Sequence, residues 1–277
     1  MRRRLILAFA VVGALAAAAF AVGVWNARAD PVVRRAQIGL GDWPAGAAPV
    51  RVLVMSDIHL GSFAMDETRL SRIVAQANAL SPDLVLIAGD FINGYGAEDA
   101  IRVRDALARA LAPLHAPLGV IAVAGNHDHG TSMAVVADAL RRAHVTLLSN
   151  RAVARGPLAI GAVDDDYSRF DDLPATLAAL RRVAGARIIL SHSPDLAPRL
   201  PTDASFMIAG HTHCGQVQLP VIGPPFVPLR THRRYLCGLR RERGRTVLVT
   251  AGLGTSDAPI RWHAPPDLWM VTFGPTR

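Results

Sequence analysis

Read for the spacing of apolar and polar positions, the chain divides near residue 30 and again near residue 50. Leu5 to Val24 carry no charge and show no polar face, over a length close to the roughly 20 residues that a membrane-spanning helix needs. From Val50 onward, short apolar runs alternate with helical patterns. "VRVLVMSDIHLG" is a β-branched strand that stops at Asp57 and His59, and "DETRLSRIVAQANALSPD" then sets Leu70, Ile73, Val74 and Ala77 at helical spacing before Pro82. "LVLIAGDFIN" is a strand running into Asp90, followed by helical "AEDAIRVRDALARALAPL". "GVIAVAGNHDHG" and "MAVVADALRRAHV" repeat the strand-then-helix order. Next come the strand and acidic loop of "LAIGAVDDDY", the helical "ATLAALRRVAGA", and two strands, "RIILSHSPD" ending at His192 and "ASFMIAGHTHCGQ" ending at His211 and His213. "RTVLVTAGLG" and "DLWMVTFG" are further short strands in a region rich in proline and glycine. This alternation predicts an α/β fold.

The N-terminal run follows Arg2, Arg3 and Arg4 and is longer than the ~7–15 residues of a signal-peptide core. A retained membrane anchor over residues 1–29 is therefore expected. Ala27-Arg28-Ala29 has the A-x-A form of a cleavage site, so a signal segment cut before Asp30 is the alternative. The arginine cluster should stay cytoplasmic and place the remainder outside the cytoplasm, although Arg28, Arg34 and Arg35 on the far side pull the other way. The net charge of +8 suits phosphate-bearing substrates or an anionic membrane surface. The arginines are scattered and not interleaved with aromatics, which argues against nucleic acid. With two cysteines, Cys214 and Cys237, and no CxxC, a cysteine-based zinc site and a disulfide framework are excluded; whether the two pair stays open.

Five of these strands stop at side chains able to bind metal: Asp57, His59, Asp90, Asn126, His127, His192, His211 and His213. In open α/β sheets, ligands bind at the carboxyl ends of strands. The glycine-flanked "GHTH" can aim two imidazoles at one point. Carboxylate and imidazole without thiolate suit Mn, Fe or Zn. One cation seldom takes more than three or four protein ligands, so the set fits two that share a carboxylate. Such a pair can hold a phosphoryl group, activate a water and stabilise the leaving oxygen.

The blocks "DIH", "GD", "GNHD", "SH" and "GHTH", in this order across most of the chain after residue 50, resemble the calcineurin-like metallophosphoesterase family. "GHTHCGQVQLP" and "GLGTSDAPIRWHAPPD" are similar to its membrane-associated bacterial branch. The resemblance implies a four-layer α/β/β/α sandwich over residues 30–277. It also implies one divalent metal on Asp57, His59 and His213, a second on Asn126, His192 and His211, and Asp90 bridging them. His127 would face the substrate without binding metal, stabilising the transition state or protonating the leaving oxygen. The implied reaction is hydrolysis of a phosphomonoester, phosphodiester or pyrophosphate at the membrane. One alternative substrate is UDP-diacylglucosamine in lipid A synthesis, and a non-enzyme alternative is a metal-stabilised scaffold.

Two positions depart from the family pattern. Asn93 stands where many relatives carry the aspartate that orients the catalytic histidine, with Asp128 as a possible substitute. Cys214, where the branch often has glycine, is expected to be a small buried residue. Asp164, Asp165 and Asp166 are expected in a solvated loop, and His129 in the cleft wall. His115 and His144 are expected to be structural or exposed, and His232 and His263 to shape substrate access.

Overall fold

The computed structural model describes residues 1–230, 233–242 and 244–276; His232 lies outside the described residues. In chain order the elements are α1 (Arg2–Arg28), β1 (Val32–Leu40), β2 (Val50–Met55), α2 (Glu67–Ala79), β3 (Leu84–Ala88), α3 (Ala97–Leu111), β4 (Val120–Val123), α4 (Asn126–Thr131) and α5 (Met133–Arg142). They continue with β5 (Thr146–Leu147), β6 (Arg151–Arg155), β7 (Leu158–Ala162), α6 (Leu173–Leu180), β8 (Ala186–Leu190), β9 (Phe206–Ala209), β10 (Gly238–Glu242), β11 (Arg245–Val249) and β12 (Asp267–Pro275).

The strands form two six-stranded sheets, ordered β1-β12-β2-β3-β4-β5 and β10-β11-β9-β8-β7-β6. Neighbouring strands from β2 to β5 are parallel, as are those from β7 through β8 and β9 to β11, so their carboxyl ends share one edge of each sheet. Side chains alternate across each sheet. Val52 and Val54 point between the sheets, where they join Leu86, Ile160, Ile188 and Phe273. Leu53 and Met55 point the other way, into a core with Leu70, Ile73, Leu107 and Leu140 of α2, α3 and α5. On the outer face of the second sheet, Ile189, Met207 and Val247 pack with Leu173 and Leu180 of α6. The result is the expected four-layer α/β/β/α sandwich. Burial on both faces explains why β3 and β7 read as unbroken apolar runs.

Local chemistry sets the helix starts. Asp66 caps α2 by accepting from Arg69 N at 2.8 Å. Asp172 accepts from Ala175 N at 2.9 Å and, with Pro174 in the first turn, starts α6 at Leu173, earlier than the "ATLAALRRVAGA" pattern suggested. Strands β1, β5, β6 and β10 were not legible. β5 is two residues long, and the other three are partly exposed, with arginine among their apolar positions.

Helix α1 is long and apolar enough to cross a membrane, and it is exposed from Arg2 to Val22. Its last turn docks on the sandwich. Gly23 O accepts from Arg261 N at 2.9 Å, and a Cβ at Gly23 would stand 2.8 Å from Trp262 Nε1. The buried Arg69 guanidinium donates to Arg28 O at 3.2 Å and Ala29 O at 2.8 Å. Cys214 and Cys237 are disulfide-bonded, so Cys214 is buried but not free, and the loop after β9 is tied to the segment before β10.

Candidate metal centre

The carboxyl ends of both sheets meet at one point, and the turns there are tight. Asp57 (φ 49°), His59 (48°), Asp90 (56°), His211 (68°) and His213 (50°) all hold left-handed backbone. Non-glycine residues adopt that region at a cost, and such strain clusters at functional sites. The glycines beside them give room: a Cβ on Gly125 would collide with Asp90 Oδ1, and one on Gly210 with Asp57 Oδ2.

Asp57, His59 and His213 form one buried group, Asp90, His192 and His211 another, and the ligand atoms in each lie within 4.8 Å of one another. Asn126 Oδ1 is 3.1 Å from His192 Nε2 and completes the second group. Asp90 Oδ2 reaches both, standing 3.5 Å from His59 Nε2 and 3.2 Å from His192 Nε2. The structure thus brings together all eight residues predicted from sequence.

The hydrogen bonds of the second group leave its lone pairs pointing inward, as a cation site requires. A carbonyl only accepts, so His192 Nδ1 must donate to Ala88 O (2.7 Å) and His211 Nε2 to Pro228 O (2.7 Å). In the neutral rings, the bare lone pairs of His192 Nε2 and His211 Nδ1 then face each other at 3.1 Å, beside the Asp90 carboxylate and the Asn126 amide oxygen. Acceptors converging in this way require positive charge. The same demand appears in the titration of His192: burial lowers its pKa, but the Asp90 charge and hydrogen bond, aided by Asp57, hold it well above the ordinary value. Burial pulls His59 and His211 down to about 3, leaving both neutral, as metal ligands must be. Asp57 is pushed up to about 6, chiefly by burial.

The first group fits less directly. Arg261 Nη2 is 3.2 Å from His213 Nδ1, which would place the ring proton on Nε2. That guanidinium nitrogen has two hydrogens and three carbonyl acceptors besides the ring: Gly254 O (2.5 Å), Ala251 O (2.7 Å) and Gly252 O (3.3 Å). His213 Nδ1 can therefore carry its own proton and leave Nε2 free. His59 Nδ1 is buried with no hydrogen-bond partner.

His127 lies in the first turn of α4, and its N–H donates to Asp90 Oδ1 at 2.9 Å. Its Nδ1 donates to the Gly94 carbonyl at 2.9 Å. This corrects the expectation for Asn93 and Asp128: a main-chain oxygen orients the ring. Asp128 is turned inward and accepts from Asp90 N, Phe91 N and Gly125 N, each at 2.9 Å. Nor is the acidic loop solvated. Asp164 is buried between His129 Nε2 (2.7 Å) and Ser149 Oγ (2.5 Å), while Asp165 is buried and accepts from Tyr167 N and Ser168 N. His129 stacks on Phe170 with ring centroids 3.9 Å apart and does not line the cleft. His115, His144 and His263 are exposed, and His263 also lies outside the cleft wall.

A cavity of about 280 Å³ opens beside the centre, lined by Asp90, Asn126, His127, His211 and His213, and by Tyr95, Tyr167, Gln216, Val217, Phe226, Pro228, Ser256 and Asp257. No lysine or arginine among the described residues lines it. The tyrosines and Phe226 were not legible as cavity residues because they carry no metal-binding chemistry, and Arg261 was not because its role depends on the fold.

Over residues 50–215 the chain matches the calcineurin-like phosphoesterase family. It is 30% identical over 241 residues to the metallophosphoesterase YkuE of Bacillus subtilis, covering 84% of this chain and 82% of that one. It is 29% identical over 234 residues to the phosphodiesterase YaeI of Escherichia coli, covering 81% and 82%. A metallophosphoesterase-named protein of Caenorhabditis elegans is 28% identical over 272 residues; the match spans 91% of this chain but only 54% of the nematode protein.

Proposed function

Because the chain belongs to the calcineurin-like phosphoesterase family and is a metal-dependent phosphoester hydrolase, we propose that Asp57, His59, Asp90, Asn126, His192, His211 and His213 hold two divalent cations, Mn, Fe or Zn, and that the adjoining cavity takes a phosphodiester. The observation that carries this is the position of Asp90, whose one carboxylate reaches both groups. Bound there, two divalent cations supply charge neutralisation for the phosphoryl oxygens and a water acidic enough to attack at neutral pH.

The remaining roles belong to the chain itself. Gly94 O fixes the His127 ring and leaves Nε2 for the cavity. When His127 is protonated, Nε2–H can donate to the departing oxygen. The cavity wall holds the Asp257 carboxylate and no described lysine or arginine. A monoester brings two negative charges to such a wall and a diester one, which favours the diester. The name of YaeI points the same way.

Metal analysis of the full chain in detergent should find close to two cations per chain, and Asp90→Ala should lose both. Full metal content in Asp90→Ala would refute the bridging role. Bis(p-nitrophenyl) phosphate should be hydrolysed faster than p-nitrophenyl phosphate or pyrophosphate; the reverse order would remove the diester assignment.

In this reading α1 is retained as an anchor, supported by the burial of Gly23 and Ala27 against the sandwich. The Cys214–Cys237 bond supports an extracytoplasmic domain, since disulfides persist in oxidising compartments, and agrees with the arginines at 2–4. Protease added to spheroplasts should therefore degrade the domain. Protection would place it on the cytoplasmic side and favour a nucleotide-linked lipid precursor as substrate.

A further inference from the structure

We propose that the loop 217–228 docks its apolar tip into the surface of the bilayer that α1 enters, so that the cleft opens at the lipid–water boundary. The proposal rests on the reading of α1 as a retained membrane span. The tip is the most exposed apolar segment of the sandwich: Val221 is fully exposed, Ile222 is 72% exposed, Phe226 70% and Leu219 41%. The fold gains nothing by keeping them there. Leu219 and Gly223 close a narrow hairpin, with Leu219 N donating to Gly223 O at 3.1 Å and Gly223 N to Leu219 O at 2.8 Å. Val221 at its apex has φ 67°. A β-branched residue is costly in that region, whereas glycine or asparagine would be cheap. The chain holds an exposed valine in strain where a polar turn residue would be easier.

The base of the loop is rigid and lies next to the anchor. The Cys214–Cys237 bond and the Gln218 Nε2 bond to Cys214 O (2.7 Å) pin one end. Gln218 N donates to Trp262 O and Trp262 N to Gln216 O, both at 2.9 Å, and the next residue back, Arg261, donates to Gly23 O at 2.9 Å. A ladder thus runs from the last turn of α1 through residues 261–262 to the loop base. Val221 lies three residues beyond Gln218, about 10 Å of extended chain at most. Trp25, 78% exposed on the same turn of α1, marks the headgroup level where indoles concentrate.

The charge around the loop agrees. Exposed Arg28 flanks the helix end, and exposed Arg230 and Arg234 follow the loop; each has a partner in the fold, Asp66, Tyr167 and Glu242 in turn, yet stands at the surface where anionic headgroups can reach it. Val217 and Phe226 line the cavity, so the loop is also the wall between the metal centre and the lipid.

Photocrosslinking in full-length protein tests this. Benzoylphenylalanine is placed singly at Val12, Ile222 or Arg182, and each protein is reconstituted in nanodiscs of phosphatidylcholine and phosphatidylglycerol. Arg182 is exposed just before β8, at the sheet end away from the cleft. Lipid adducts are expected at positions 12 and 222 and none at 182. An adduct at 12 without one at 222 would overturn the docking, as would capture at 222 of a second copy of the chain. No adduct at 12 would overturn the anchor reading and this proposal with it. Hydrolysis of soluble diester by the same preparations reports separately on the proposed catalysis, because none of the three positions lines the cavity.

Discussion

His127 shows how much one main-chain oxygen decides. Its Nδ1 donates to Gly94 O, so the tautomer is set without the carboxylate that many relatives use. A carbonyl, like an amide, offers no charge to an imidazolium, so the ring works without an anionic partner there. His127→Ala should keep both cations and the fold while losing roughly 10²–10⁴-fold in turnover, the usual scale for a positioned acid or base. The loss should be smaller for p-nitrophenolate esters, whose leaving group needs little protonation. Metal depletion in the variant, or equal losses with good and poor leaving groups, would remove this role. Asn93→Ala should leave the pH profile of turnover unchanged, since that side chain is not the ring's partner; a displaced profile would restore it. The metal-binding types themselves were legible because each closes a strand, most of them beside a glycine. The partner of His127 was not, because every residue carries a carbonyl and no residue type advertises this one.

The turns after the strands depend on carboxylates that are not ligand candidates. Asp128 in α4 accepts from three backbone N–H groups, two of them belonging to Asp90 and Phe91. Burial pushes its pKa up to about 7, with the Asp90 charge adding to the rise. Asp128→Ala would leave those donors buried and unpaired, at roughly 1–3 kcal/mol each. It should therefore lower both stability and metal content, read by calorimetry and elemental analysis. Unchanged metal content would show that Asp90 holds its place alone. Farther along, His129 and Asp164 clamp α4 to the acidic loop. Burial lowers the His129 pKa, but the Asp164 hydrogen bond and charge outweigh it, and the net shift is upward. A raised imidazole pKa stabilises the fold fully below about 6.5, the ordinary value, and less as pH climbs through the folded value. The melting-temperature gap between wild type and His129→Gln should therefore narrow from slightly acid to alkaline pH. A constant gap would mean that the pair contributes no charge.

Across the whole molecule, helix α1 is part of the folded body. Arg69 is fully buried, with Ala64 O and Leu253 O, each at 3.0 Å, as acceptors from the sandwich and Arg28 O and Ala29 O from the end of α1. Removing residues 1–29 strips two acceptors from a buried cation and uncovers the Ile260–Trp262 face under Gly23. Hydrogen bonds to charged groups contribute about 1.5–3 kcal/mol each. The fragment 30–277 should unfold at a lower temperature than the full chain in the same detergent. Equal melting temperatures would reduce α1 to a tether. Behind this contact, Arg261 touches both Gly23 and His213, so the helix end and the metal centre share one support.

By itself the sequence determined what depends on short stretches: the strand–helix alternation, the apolar N-terminal helix, and the residues that close five strands. Each is written in periodicity or in a turn motif, and its physics acts within a few residues. Tertiary structure decided what depends on distant partners. That the strands divide into two facing sheets follows from long-range pairing such as β1 with β12, which no local pattern encodes. The Cys214–Cys237 bond, the burial of Asp164 and Asp165, and the place of Arg261 behind His213 likewise arise only when separate segments are packed together. Strands β1, β6 and β10 escaped notice for the related reason that each borrows its order from a neighbour. An edge strand with one face in water needs only part of the apolar pattern that a buried one must carry.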